Sequence, residues 1–176
     1  MIQYRTLSSD EISRDLFKDF IRHQVVTKCW RKENAEWVIN DDHFIDDWGE
    51  KEYEILISCL KHTLATNGFV YAAFWHGMLK GFVSVESGLF GNTQSYLDLS
   101  SIHVSEDLRG KGIGASLFHT AKEWAKSQGA AKLYISAHSA VESQAFYKKM
   151  GCVDAEFIHQ KHAEDEPYDC QLECAL

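Results

Sequence analysis

Between Val104 and Ala115 the chain reads Val-Ser-Glu-Asp-Leu-Arg-Gly-Lys-Gly-Ile-Gly-Ala, with glycine at every second position from 110 to 114. The residues ahead of it, Tyr96 to Val104, have the apolar content of a strand. Those behind it, Gly112 to Gln128, carry Ile113, Leu117, Ala121, Trp124 and Ala125 at helical spacing. A strand that passes through a glycine-rich turn into a helix directs unpaired backbone N–H groups outward, at the positive end of the helix dipole. Gly112 and Gly114 have no Cβ, so a phosphate can come close to the backbone. The segment therefore predicts an anion site, and pyrophosphate suits it best. A Walker A loop needs Lys and then Ser or Thr after its last glycine, but Ile113 follows Gly112 and Ala115 follows Gly114. A Rossmann fingerprint needs GxGxxG, and the spacing Gly110-x-Gly112-x-Gly114 differs.

The rest of the chain supplies a setting for this turn. Ile2 to Leu7 predicts a first strand, and Asp10-Glu11 the start of an amphipathic helix through Leu16, Phe17, Phe20 and Ile21. Residues 30 to 49 show no period and read as irregular. Glu50 to Thr66 returns to helical spacing. Phe69 to Trp75 and Leu79 to Glu86, joined at His76-Gly77, predict a hairpin. Leu133 to Ala137 predicts a strand, and Ser139 to Met150 a helix opened by the capping box Ser139-x-x-Glu142. Strands near Val153 to Ile158 and Cys170 to Leu176 close the sequence. That order predicts one α/β (α+β) domain over residues 1 to 176 with a mixed sheet.

Composition narrows the function classes. The net charge of −8 argues against nucleic-acid binding and favours cationic small molecules or peptides. The longest apolar run, Phe69 to Trp75, is too short to span a bilayer, so no membrane partner is expected and the protein reads as cytoplasmic. The 5 cysteines include no CxxC pair, which argues against a disulfide framework or a zinc site. His159-Gln-Lys-His162 lacks a second ligand pair, so no metal is expected.

Arg109-x-x-Gly112-x-Gly114 matches the acetyl-CoA loop (Gln/Arg)-x-x-Gly-x-(Gly/Ala) of the Gcn5-related N-acetyltransferase (GNAT) family. Two further segments carry the resemblance. Leu99 to Val104 is similar to the family's central strand, and Ser143-Gln-Ala-Phe-Tyr147-Lys-Lys-Met-Gly151-Cys152 resembles its closing helix, which commonly ends FYxKxGF. The resemblance implies a mixed, mostly antiparallel central sheet with helices on both faces, acetyl-CoA as co-substrate, an amine acceptor, and scope for a homodimer. It implies cofactor contacts from the backbone of Ile102, His103 and Val104. Further contacts fall on the turn residues Arg109, Gly110, Lys111, Gly112, Ile113, Gly114 and Ala115, and on Ser139 and Ser143 of the closing helix. Tyr147 takes the family's place for a phenol that protonates the departing thiolate. A non-catalytic acyl-CoA sensor of the same fold is the alternative. Two positions depart from the family pattern: Ala140 stands where asparagine is frequent, and Cys152 where an aromatic is frequent.

An amine arrives as ammonium, and attack on a thioester needs it neutral. Asp98 is the first candidate for the general base, because strand alternation places it on one face with Ser100, Ile102 and Val104. Glu86 and His103 are alternatives. For the acceptor pocket, residues 33 to 54 hold 9 acids and the single Lys51. Asp41, Asp42, Asp46 and Asp47 beside Phe44 and Trp48 suit a cation by charge and cation–π contact, which makes Asp46, Asp47 and Trp48 the expected acceptor contacts.

Overall fold

The computed structural model describes all 176 residues. Its main sheet is built from β1 (Ile2–Thr6), β4 (Phe69–Trp75), β5 (Met78–Val85), β6 (Tyr96–Val104), β7 (Lys132–Ala137), β8 (Val153–Asp154) and β9 (Cys170–Ala175). A separate hairpin is formed by β2 (His23–Glu33) and β3 (Glu36–Asp47). The helices are α1 (Glu50–Ala65), α2 (Ile113–Ser127), α3 (Val141–Lys149) and α4 (Gln160–Asp165). The main sheet runs in the order β1-β4-β5-β6-β7-β9-β8, and β6 with β7 is its one parallel pair. This is the mixed, mostly antiparallel sheet expected from the sequence.

Both sheet faces are covered, which explains why Phe69–Trp75 is apolar throughout rather than alternating. On one face Val70, Ala72, Phe74, Leu79 and Phe82 pack with Leu7, Ile12, Phe17, Phe20 and the α1 residues Tyr53 and Leu60. On the other, Ala73, Val83, Val85, Leu97 and Leu99 pack with the predicted stripe of α2, Ile113, Leu117, Ala121 and Ala125.

Three expectations are corrected. Residues 9 to 21 do not form one helix: they make two short 3-10 turns, Ser9–Glu11 and Asp15–Phe17. The Glu11 carboxylate accepts from the N–H and the hydroxyl of Ser8, both at 2.9 Å, and closes the first turn, after which Ile12 is extended. Ile12, Phe17 and Phe20 then reach the core from separate turns. Residues 30 to 49 are not irregular, since most of them belong to the β2–β3 hairpin. Its two-residue loop is Asn34-Ala35, with φ of 50° and 65°, the left-handed pair that a type I′ turn requires. The strand predicted near Val153 to Ile158 shrinks to Val153–Asp154, and α4 follows it. There the ring of His159 accepts from the His162 N–H at 3.4 Å.

One irregularity sets the geometry of the site. Ser84 pairs with Ser101 and Val85 with Leu99, so Ser100 is an extra residue in β6. Such a bulge flips the phase of a strand. Leu97 and Leu99 before it, and Ile102 and Val104 after it, therefore all pack toward the α2 face.

Candidate functional site

β6 and β7 pair over three residues each, Tyr96–Asp98 with Lys132–Tyr134. Beyond Asp98 they part, and a cleft of about 960 Å³ opens between them. Leu99 to Val104 line one wall, and Ile135, Ser136 and His138 the other. The α2 N-terminus and α3 close one end, while Arg22 to Val25, Asp46 and Trp48 cover another side.

The glycine turn lines the cleft at its α2 end. Gly110 and Gly112 have φ of +76° and +82°, the left-handed region that disfavours side chains. Gly112 is the N-cap of α2, and the first bond of the helix runs from the Ser116 N–H to its carbonyl at 3.1 Å. The N–H groups of Ile113, Gly114 and Ala115 have no backbone acceptor, the arrangement that receives an anion. A Cβ on Gly112 would meet nothing within 4 Å, whereas one on Gly114 would lie 3.1 Å from the Phe146 ring. Gly112 is thus required for its backbone angle and Gly114 for the approach of α3 to α2. Arg109 turns back so that its Nε donates to the Val104 carbonyl at 3.2 Å, closing the turn onto β6.

Ile102, Val104, Arg109, Gly110, Gly112, Ile113, Gly114, Ala115 and Ser143 all line this cleft. Lys111 is not among the lining residues and is exposed. Ser139 is buried away from it. The Ser139 carbonyl accepts from the Trp30 N–H at 2.8 Å, and its hydroxyl accepts from Arg31 at 2.6 Å. These ties to β2 replace the expected capping box, so α3 starts at Val141 with Ala140 as its N-cap. Ala140 is fully buried in a bridge to Cys29, in a small core with Val26.

Tyr147 lines the cleft, with its ring against Phe146 at 5.2 Å and Phe118 at 6.4 Å. Burial raises its phenol pKa above the ordinary value, and the neighbouring Cys152 and Asp169 add to the rise. The group therefore stays protonated at neutral pH and can donate. His103 also lines the cleft, enclosed by Trp48 at 4.7 Å and Phe82 at 5.5 Å. Burial, with Arg22 and Arg109 nearby, pushes its pKa down to about 3. It is neutral and a weak base.

The structure does not bring Asp98 to the cleft. The Ser100 bulge puts it on the face opposite Ile102 and Val104, where its carboxylate meets His162 Nε2 at 2.7 Å. Glu86 does not line the cleft either, and it accepts from Thr63 and Ser100, each at 2.6 Å. The four aspartates of β3 are not free to attract a cation. Asp46 pairs with Arg22 at 2.5 Å, Asp47 with His23 at 2.5 Å, Asp41 with Lys28 at 3.0 Å and Asp42 with Arg31 at 2.7 Å. Asp46 and Trp48 reach the cleft and Asp47 does not.

A sequence model described as the acetyltransferase (GNAT) family matches residues 27–152, more than half of the chain. The chain belongs to this family. No curated protein sequence matches the acetyltransferase significantly. Solved structures match it over 95% or more of their length. One is a Bacillus anthracis str. Ames protein assigned as a streptothricin acetyltransferase, in complex with acetyl coenzyme A. It is 19% identical with a TM-score of 0.71, covering 100% of this chain and 99% of that one. A nourseothricin acetyltransferase is 15% identical, with a TM-score of 0.65 and coverage of 98% and 95%. The PaiA N-acetyltransferase from Thermoplasma acidophilum, in complex with coenzyme A, is 15% identical, with a TM-score of 0.62 and coverage of 100% and 99%.

The matched residues 27–152 include the turn, β6 and α3 of the acetyltransferase. The opposite wall was not read from the sequence. Ser136, His138, Glu166 and Asp169 line it, from the end of β7, the residue after it and the segment between α4 and β9. Alternation along β7 around the buried Ile135 and Ala137 would have singled out Ser136 and His138. Nothing local marks Asp169. No helix is long and apolar enough to cross a membrane.

Proposed function

We propose that the protein transfers the acetyl group of acetyl-CoA to a primary amine of a small polar or cationic molecule, by direct attack within a ternary complex. The observation that carries this reading is that one continuous cleft holds the anion-receiving turn at one end, Tyr147 on α3, and a polar wall across from them. The residues fit the cofactor: three free N–H groups at the α2 N-terminus suit a pyrophosphate. The strand Ile102 to Val104 has no partner on its β7 side, which leaves backbone groups for the pantetheine amides. No cysteine lines the cleft, which favours direct transfer over a covalent acetyl-enzyme. Acetyl-CoA supplies an activated thioester carbonyl. The chain's part is to hold it beside the amine and to give the Tyr147 proton to the sulfur as the C–S bond breaks.

The small-molecule acceptor is supported by neighbours named for streptothricin and nourseothricin acetylation. The test is acetyl-CoA with spermidine, lysine, an aminoglycoside, a streptothricin and an alanine-terminated peptide, following thiol release and the mass of each product. Acetylation of at least one amine is expected. Saturable acetyl-CoA binding with no acetylated product from any of them would instead establish the sensor reading.

A further inference from the structure

The cleft needs a group to take the ammonium proton, and each sequence candidate fails on geometry. Asp98 and Glu86 do not line the cleft, and His103 is enclosed by aromatic rings. His138 lines it, but its Nδ1 accepts from the Ala140 N–H at 3.0 Å. A ring that accepts through Nδ1 carries its proton on Nε2, so its other nitrogen is a donor. Asp46 is held by Arg22.

Asp169 differs from all of these. It lies in the last residue before β9, half-buried in the wall across from α3. Its position is fixed from β7: the Ser136 hydroxyl donates to its Oδ2 at 3.0 Å. The Gln171 Nε2 donates to the same hydroxyl oxygen at 2.9 Å, which turns the Ser136 proton toward Asp169. No cation pairs with the carboxylate, so one oxygen and most of its lone pairs remain for a ligand. Its charge is felt at the Tyr147 phenol.

We propose that Asp169, oriented by Ser136 and Gln171, is the general base that takes the proton from the acceptor ammonium. This rests on the amine-transfer reading above. One N–H proton passes to the Asp169 carboxylate, and the freed lone pair forms the C–N bond at the thioester carbonyl. As the C–S bond breaks, the Tyr147 hydroxyl protonates the sulfur, and Tyr147 recovers its proton from the same nitrogen. Asp169 then releases its proton to solvent, so one acetamide, one thiol and one proton result. Burial holds the Asp169 pKa above the ordinary carboxylate value. That strengthens it as a base, although the Ser136 hydrogen bond, and then His138 just after β7 and His162 on α4, act against the rise. Tyr147 on α3, Cys170 beside it and Glu166 in the same wall are further titratable groups near it.

The experiment compares wild type, Asp169→Asn and Asp169→Glu on the panel amine turned over fastest, and on aniline as an acceptor already neutral at assay pH. Asparagine keeps the shape and can accept from Ser136. Asp169→Asn should lose about 100-fold or more in kcat/KM on the aliphatic amine, with the acid limb of its pH profile abolished, while losing far less on aniline. Asp169→Glu should restore part of the rate and the limb. Acetyl-CoA should raise the melting temperature of all three equally. A wild-type rate in Asp169→Asn, an unchanged acid limb, or an equal loss on aniline overturns the assignment. If wild type acetylates no amine at all, the transfer reading itself has failed and the base falls with it.

Discussion

The phenol of Tyr147 gives the sharpest test of the transfer chemistry, because removing it should be nearly silent for the fold. Its hydroxyl has no hydrogen-bond partner within the protein, and the ring is held by Phe146 and Phe118 through carbon contacts that phenylalanine preserves. Tyr147→Phe therefore strands no buried group, and its stability change should stay below about 1 kcal/mol. In catalysis the same oxygen is the proton source for the thiolate. Its loss should lower kcat by about 10- to 1,000-fold, or about 1.4 to 4 kcal/mol of barrier, with the KM for acetyl-CoA little changed. Because the phenol pKa is raised, the wild-type rate should also show no alkaline limb from Tyr147 below the ordinary tyrosine value of about 10. Steady-state kinetics from pH 6 upward, beside a melting curve, measure both. An unchanged kcat would refute the role and leave Tyr147 as a packing residue.

Three further outcomes follow from particular contacts. Acetyl-CoA should raise the melting temperature by mass action, and Gly114→Val should abolish that shift by pushing Phe146 and α3 away from the turn; a normal shift would remove the turn from the site. Asp46→Asn should destabilise the fold by about 2 kcal/mol in a denaturant titration, since Arg22 is 9% exposed and loses its charged partner; a rise in amine KM with unchanged stability would restore Asp46 as an acceptor contact. The Asp98 carboxylate raises the His162 pKa, so that pair contributes stability below the ordinary histidine value of 6.5 and loses it as pH rises through the higher folded value. His103, held near 3, acts in the opposite sense, losing stability as pH falls below 6.5, so the readout is the difference from Asp98→Asn. Parallel melting-temperature curves for the two proteins would show that the pair carries no linkage.

The sequence was most legible where one local pattern decides the structure. The α2 stripe, the strands Phe69–Trp75 and Tyr96–Val104, and the Arg109–Gly114 turn each follow from a period or from glycine stereochemistry. The β2–β3 hairpin was illegible because its turn is Asn-Ala instead of Asn-Gly, and because its acids and bases pair across strands that are largely exposed on both faces. The same charges, seen without their partners, passed for a cation trap. Asp98 misled for a different reason: counting by twos along β6 holds only while the ladder is regular, and an inserted residue leaves no mark in a single sequence. Asp169 depends on Ser136 from another strand, a pairing fixed only when β7 and β9 meet.

The extra residue in β6 also makes that strand tolerant of one particular loss. If the codon for Ser100 were deleted, β6 could still hydrogen-bond to β5 along its whole edge, now without interruption. Leu99 would stay opposite Val85 and Ser101 opposite Ser84, so every residue from Ser101 to Val104 would keep its partner and its face. His103 would remain beside Trp48 and Phe82, and Ile102 and Val104 would remain against α2. A one-residue deletion, which in a regular strand reverses every side chain beyond it, is here absorbed by the residue that the ladder leaves unpaired.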